Sequence, residues 1–172
     1  MISPGDSMKN IKVLVTGSTA PGFVSLVKAL RLSKKYNFTV VGSDYREELS
    51  SRLFSDKSFV LPDNRSSGFS QKMLDLCVKE EVEVVLPIRT DDLMPICKDL
   101  EAFRKAGVEP ALAVTDPALM DIVLNKRKLM EYSQRVIGIE VPDFSVARNA
   151  EELKDAVEQL GYPSIPVVIK PS

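Results

Sequence analysis

Histidine and tryptophan are absent from the 172 residues, and cysteine occurs only twice. Without histidine the chain holds no Ser-His-Asp triad, no Cys-His pair and no His-ligated zinc. Any chemistry must use lysine, arginine, aspartate, glutamate, backbone amides or a bound cation. The two cysteines, Cys77 and Cys97, fall on apolar stripes formed by Phe69, Met73, Leu76 and Cys77 and by Leu93, Ile96, Cys97 and Leu100. They read as buried thiols packing as small hydrophobes, not as a disulfide or a metal site, and the cytoplasm is the expected compartment. No sign of charge dominates: 23 Lys and Arg stand against 24 Asp and Glu. The global basic excess of a nucleic-acid or anionic-membrane binder is therefore missing. No run approaches the roughly 18 apolar residues of a membrane span. The opening MISPGDSMKN has no apolar signal core, and residues 1–8 are expected to be a disordered leader.

What is present is ordinary globular composition, 44% apolar and 27% charged, arranged with a clear rhythm. Short apolar runs at Ile11 to Thr16, Phe38 to Gly42, Ser58 to Leu61, Val82 to Leu86 and Ala111 to Val114 read as strands. Between them, helical spacing predicts helices over residues 21–32, Phe69 to Glu80 and Leu93 to Ala106, the last capped by Gly107. Strands alternating with helices mean βαβ units, hence an α/β domain with a Rossmann-like parallel sheet over residues 9–116. The rhythm changes after Asp116. Pro117 suits a first helical turn capped by Thr115 or Asp116. A helix from Lys126 to Ile137, a strand near Phe144 to Ala147, a helix capped by Asn149 with Glu152 closing a capping box, and a strand Val167 to Ile169 follow. Residues 117–172 read as the start of a second, α+β domain that these residues do not complete.

Ligands of parallel sheets bind at the carboxyl ends of the strands, so the loops there carry the candidates. Gly17 to Gly22 (GSTAPG) is not a phosphate-cradling P-loop, because Phe23 and Val24 follow where lysine and a hydroxyl residue belong. It is not a dinucleotide fingerprint either, because Thr19 stands where the second glycine must be. Its structural reading is a tight strand-to-helix turn, with Gly22 packing near the helix start. Asp44, ending the second strand, is placed like the ribose carboxylate of a nicotinamide enzyme, which keeps an NAD(P)-binding oxidoreductase as an alternative; a solvated turn aspartate fits as well. Arg89, Thr90, Asp91 and Asp92 bunch a cation, a hydroxyl and two acids after the fourth strand. They suit substrate binding and also a helix cap, with Thr90 or Asp91 on the free amides. A non-enzymatic metabolite-binding module is the third alternative. Lys126 opens a helix with its stem along the line of Met130, Ser133 and Ile137, and Lys170 ends the apolar run VVIK. Each lysine alone suits snorkelling to water; together they suit a polyphosphate.

In order, the chain carries N-K-x-K (Asn125 to Lys128), I-G-I-x-V-P (Ile137 to Pro142), G-Y-P (Gly161 to Pro163) and V-V-I-K-P-S (Val167 to Ser172) behind an α/β domain. In this it resembles the ATP-grasp superfamily from residue 9 onward, in the manner of the carbamoyl phosphate synthetase large subunit. The resemblance implies a pre-ATP-grasp domain followed by the first part of an ATP-grasp domain. It implies ATP and magnesium as cofactors, with Lys126 and Lys170 on the nucleotide phosphates and Arg89, Thr90, Asp91 and Asp92 near the acceptor. Asn125 stands where the family usually has aspartate. The implied reaction activates a carboxylate or bicarbonate as an acyl phosphate for attack by an amine-type nucleophile. The small-molecule partners follow from that, with a homodimer among the assemblies it allows. The family's glycine-rich lid, metal carboxylates and catalytic arginine come after the K-P-S segment. No catalytic or metal-ligating residue, and no turnover, is therefore expected of these 172 residues by themselves.

Overall fold

The computed structural model describes residues 8–47 and 50–170, without the side chains of Ser50 and Ser51. Most of the expected leader, residues 1–7, lies outside the described residues, as do Pro171 and Ser172 of the K-P-S motif. The chain divides into two compact units, the first running to Met120 and the second beginning at Asp121.

Five strands make the first unit: β1 (Lys9–Thr16), β2 (Tyr36–Asp44), β3 (Lys57–Val60), β4 (Val84–Leu86) and β5 (Glu109–Pro110). They form one all-parallel sheet in the order β3-β2-β1-β4-β5. The chain winds outward from β1 through β2 to β3, then returns to the other side of β1 to lay down β4. That reversal is the place where a parallel sheet opens a crevice at its carboxyl edge.

Alternation along the strands assigns residues to the two faces. Val13 and Val15 of β1 pack with Val40 of β2 against Phe23 and Val27 of α1 (Gly22–Arg31). Leu14, Val41 and Val85 face the other way, onto α2 (Phe69–Lys79), α3 (Thr90–Lys98) and α4 (Leu100–Lys105) through Met73, Cys77, Ile96 and Phe103. Both faces are covered, which is why β1 reads as an unbroken apolar run. Leu14 is fully buried, so truncation to alanine would cost roughly 2–5 kcal/mol. Cys77 and Cys97 are free, buried thiols, and burial pushes the Cys77 thiol up to about 12.

The first unit differs from the sequence reading at four points. The helix expected over Leu93 to Ala106 is two helices, α3 and α4, meeting at Asp99, whose φ of -103° and ψ of 14° leave the helical region. Pro95 sits inside α3 without an N–H to donate. The fifth strand is Glu109–Pro110, not Ala111 to Val114: on an edge strand the missing N–H of Pro110 costs no ladder bond. Gly22 does not pack closely at the start of α1, since a Cβ there would meet nothing within 4 Å. Asp44 is buried, not solvated.

The second unit continues α5 (Pro117–Leu124) and holds α6 (Lys126–Tyr132), a π-helical turn Ser133–Ile137, and α7 (Ala150–Gln159). The caps of α5, α6 and α7 follow the sequence. Asp116 Oδ1 accepts from the amides of Ala118 and Leu119 at 2.8 and 2.9 Å, and Asn125 accepts from Lys128 N. Asn149 Oδ1 accepts from Glu152 N at 2.9 Å while the Glu152 carboxylate turns back onto Arg148 N and Asn149 Nδ2. The strands expected at Phe144 to Ala147 and Val167 to Ile169 are irregular and exposed. A strand exists by its ladder, and these segments pair with no other described segment. No helix among the described residues is long and apolar enough to cross a membrane.

Candidate functional site

At the carboxyl edge, the ends of β1 and β2 and the turn from β4 into α3 converge on one cleft. It is lined by Thr16, Gly17, Ser43, Asp44, Tyr45 and Arg89 on the sheet side and closed by Leu61, Pro62, Asn64, Phe69 and Asp92. Its empty volume is about 230 Å³, open solvent included.

Gly17 turns the chain out of β1 at φ +65°, a conformation L side chains rarely adopt. The absence of a side chain there also lets Arg89 pass over the turn: a Cβ on Gly17 would overlap Arg89 Cγ and lie 2.8 Å from Cδ. The guanidinium stacks on the Tyr45 ring, 4.6 Å from its centroid, and Nη1 lies 3.8 Å from Asp44 Oδ1. Arg46 lies 5.4 Å from the same ring and donates through Nε to Tyr45 Oη. Tyr45 thus carries two cations at the mouth of the cleft.

Asp44 anchors this edge. Oδ2 accepts from Thr19 N at 3.0 Å and Thr19 Oγ1 at 2.8 Å; Oδ1 accepts from Tyr45 N at 2.8 Å and Arg46 N at 3.3 Å. Burial raises its carboxyl pKa, but the hydrogen bonds from Thr19, Arg46 and Tyr45 outweigh this and hold the group below the ordinary carboxylate value. Both oxygens are consumed by the protein, so neither is left for a ribose. That removes the support Asp44 lent to a nicotinamide-binding reading.

Of the four residues after β4, two meet the cleft. Arg89 crosses it, and Asp92 lines it, 3% exposed, with Oδ1 accepting from Asn64 Nδ2 at 2.9 Å. Thr90 and Asp91 are exposed in the first turn of α3. Neither caps the helix: Arg89 occupies the cap position with extended backbone and no side-chain cap bond. Thr90 comes one residue too late for its hydroxyl to reach the free amides. Lys126 and Lys170 belong to the second unit and are exposed. α6 buries no residue, so the Lys126 stem runs along no buried apolar face. Lys170 ends an exposed irregular segment, not a buried strand. Among the described residues no group of three His, Cys, Asp or Glu side chains is placed to hold a metal ion.

Sequence reasoning missed Thr16 and Asn64 as cleft residues; Ser43 and Tyr45 fall in the strand-end segment Ser43 to Arg46 where it expects ligands, but it singles out only Asp44 there. Thr16 and Ser43 are 2% and 1% exposed, and among the described residues their hydroxyls make no hydrogen bond; Ser18 Oγ is a third such atom. A hydroxyl residue closing an otherwise apolar buried strand is the signal that could have found them, since a core position gives it no reason to be polar.

The family model described as PylC-like, N-terminal domain matches residues 13–111. The formate-dependent phosphoribosylglycinamide formyltransferase of Prochlorococcus marinus (strain MIT 9515) is 26% identical over 170 residues, 96% of this chain and 39% of that relative. Among solved structures, glycinamide-RNase-transformylase T from Mycobacterium tuberculosis superposes with a TM-score of 0.59 at 15% identity, over 88% of this chain and 40% of that one. The biotin carboxylase domain dimer of Hydrogenobacter thermophilus 2-oxoglutarate carboxylase, in complex with MgADP, ADP and bicarbonate, gives 0.55 at 17%, over 88% and 33%. At these identities the solved structures speak for the fold. The chain spans about two fifths of the length of the curated relatives it matches.

Proposed function

The chain belongs to the family of PylC-like N-terminal domains, and from that premise we propose that it forms the acceptor side of an ATP-grasp ligase. Its parallel sheet matches the pre-ATP-grasp domain of such enzymes. The reaction we assign activates a carboxylate or bicarbonate as an acyl phosphate, which an amine-type nucleophile then displaces. A formate-using or a carbamoyl phosphate synthetase-like bicarbonate reaction are the two forms of it. The observation that carries the reading is the aimed cation at the strand ends: Arg89, held across Gly17 and stacked on Tyr45. Such a group, placed at the topological switch point, is suited to orienting a small acid.

In this reading Arg89 and Asp92 contact the acceptor, while Thr90 and Asp91 are exposed on the first turn of α3 and are not among the lining residues. Lys126 and Lys170 supply point charges to the nucleotide phosphates. ATP with its magnesium supplies the phosphoryl group and offsets charge on it. The described residues offer no carboxylate cluster for the metal, so no step is assigned to it here. The test is ADP release by the protein encoded by the complete reading frame. ADP should form from ATP only in the presence of a carboxylate or bicarbonate. ADP formation indifferent to every acid supplied would overturn the assignment.

A further inference from the structure

Resting on the acceptor-side reading, we propose that the strand-end cleft selects a small monocarboxylic acid bearing a second, proton-carrying polar group, and rejects phosphorylated acceptors. Four unused hydrogen-bonding groups define this preference. The Arg89 side chain is 25% exposed, and among the described residues its guanidinium makes no hydrogen bond; the nearest carboxylate oxygen, on Asp44, is 3.8 Å away. The Tyr45 ring, 4.6 Å from the guanidinium, limits its movement, so a forked donor is held at the cleft. Asp44 cannot compete for it fully, because both its oxygens already accept from Thr19, Tyr45 and Arg46. Thr16 and Ser43, paired in register on adjacent strands, line the same cleft and add two buried hydroxyls with no partner among the described residues. Buried polar groups left unpaired destabilise a fold, so their presence at a cleft points to a ligand that pairs them.

The fourth group sets the sign. Asp92 accepts one hydrogen bond, from Asn64 to Oδ1, and among the described residues Oδ2 accepts none. The lining thus holds two carboxylates, Asp44 and Asp92, against Arg89 within it and Arg46 on Tyr45 at its mouth. A phosphate dianion would bring its charge against Asp92, where a monocarboxylate can bring a donor. A monocarboxylate forked by Arg89, whose hydroxyl or amine donates to Asp92 Oδ2, complements both ends.

The probes are glycolate, glycine, acetate and inorganic phosphate, titrated into the chain while backbone amide chemical shifts are followed. Glycolate or glycine should move the amides of Gly17, Ser43 and Arg89 saturably, and the tighter of the two names the donor. Acetate, lacking the donor, should bind about fivefold more weakly, and phosphate about tenfold more weakly or worse. Arg89→Lys keeps the charge but loses the fork, and should weaken the favoured acid about tenfold. Thr16→Val removes an unpaired buried hydroxyl; it should raise the melting temperature while weakening the acid. Phosphate binding as tightly as the acids, no saturable shift at those amides, or full-strength binding by either variant would overturn the proposal. Should these acids fail while ADP release by the complete protein stays acid-dependent, this proposal falls alone. ADP release indifferent to acid takes the acceptor-side reading with it.

Discussion

Arg89 occupies the space that a side chain on Gly17 would need. The glycine meets two requirements at once: a positive φ of +65°, and room for the Arg89 stem as it crosses toward Tyr45. Gly17→Ala should therefore be destabilising by about 2–4 kcal/mol, combining left-handed strain of about 1 kcal/mol with overpacking of about 1–3. Urea denaturation measures the total. A cycle with Arg89→Ala separates the parts, since shortening Arg89 relieves the overlap and leaves the backbone strain. Additive effects in the double variant would show that the two residues do not compete for space.

Asp44 makes the site pH-dependent in a defined direction. Its folded-state pKa lies below the ordinary value because hydrogen bonds from Thr19, Arg46 and Tyr45 outweigh the effect of burial. A depressed carboxylate contributes stability that is present above the unfolded pKa and lost as pH falls through the folded one. Asp44→Asn should cost about 2–3 kcal/mol at neutral pH, where charge-assisted bonds are lost and an NH₂ faces amide donors. The gap between wild type and variant should narrow as pH drops below about 4, the unfolded carboxylate value. A gap constant from pH 7 to 3 in denaturation midpoints would rule out this linkage.

Glu81 offers a stabilising change away from the cleft. It follows α2 at φ 55°, with Glu81 N donating to Val78 O and Val82 N to Cys77 O, the paired bonds of a Schellman turn. Glycine is the residue that turn prefers. Left-handed backbone costs a non-glycine residue about 1–2 kcal/mol, and glycine's extra unfolded-state freedom returns about 0.5–1. The ion pair with Lys12 at 3.6 Å is exposed on the Glu81 side and contributes little. Glu81→Gly should raise stability by about 0.5–1 kcal/mol, read as a higher denaturation midpoint with an unchanged slope.

The sheet was legible because its central strands are buried on both faces, and apolar runs such as Ile11 to Thr16 have no other use. The caps at Asp116, Asn125 and Asn149 were legible because capping is local chemistry. Legibility failed where the outcome depends on partners. Val167 to Ile169 has strand composition but no ladder among the described residues, and Pro110 stops a central strand yet sits without cost on an edge. In the cleft, Arg89 and Asp92 stood out as charges beside a strand end. Thr16 and Ser43 did not, because a hydroxyl announces nothing until its burial and its lack of a partner are known. Asp44 was visible, but not the four donors that consume it.

Lys126 and Lys170 give the assignment of ATP its own test, separate from the cleft. Both are exposed, so replacing them should leave the fold intact, with stability changed by no more than about 0.5 kcal/mol. If they hold nucleotide phosphates, each loses a charge-assisted contact. Lys126→Ala and Lys170→Ala should then each weaken ATP binding about tenfold in the protein encoded by the complete reading frame. Arginine at either position should retain much of the affinity, because a phosphate accepts a point charge or a fork, whereas a purely structural role would not respond to charge. Calorimetric titration with MgATP distinguishes these cases. Both alanine variants binding at wild-type strength, with unfolding curves unchanged, would remove the two lysines from the nucleotide site and leave the acceptor cleft as the remaining support for an ATP-grasp role.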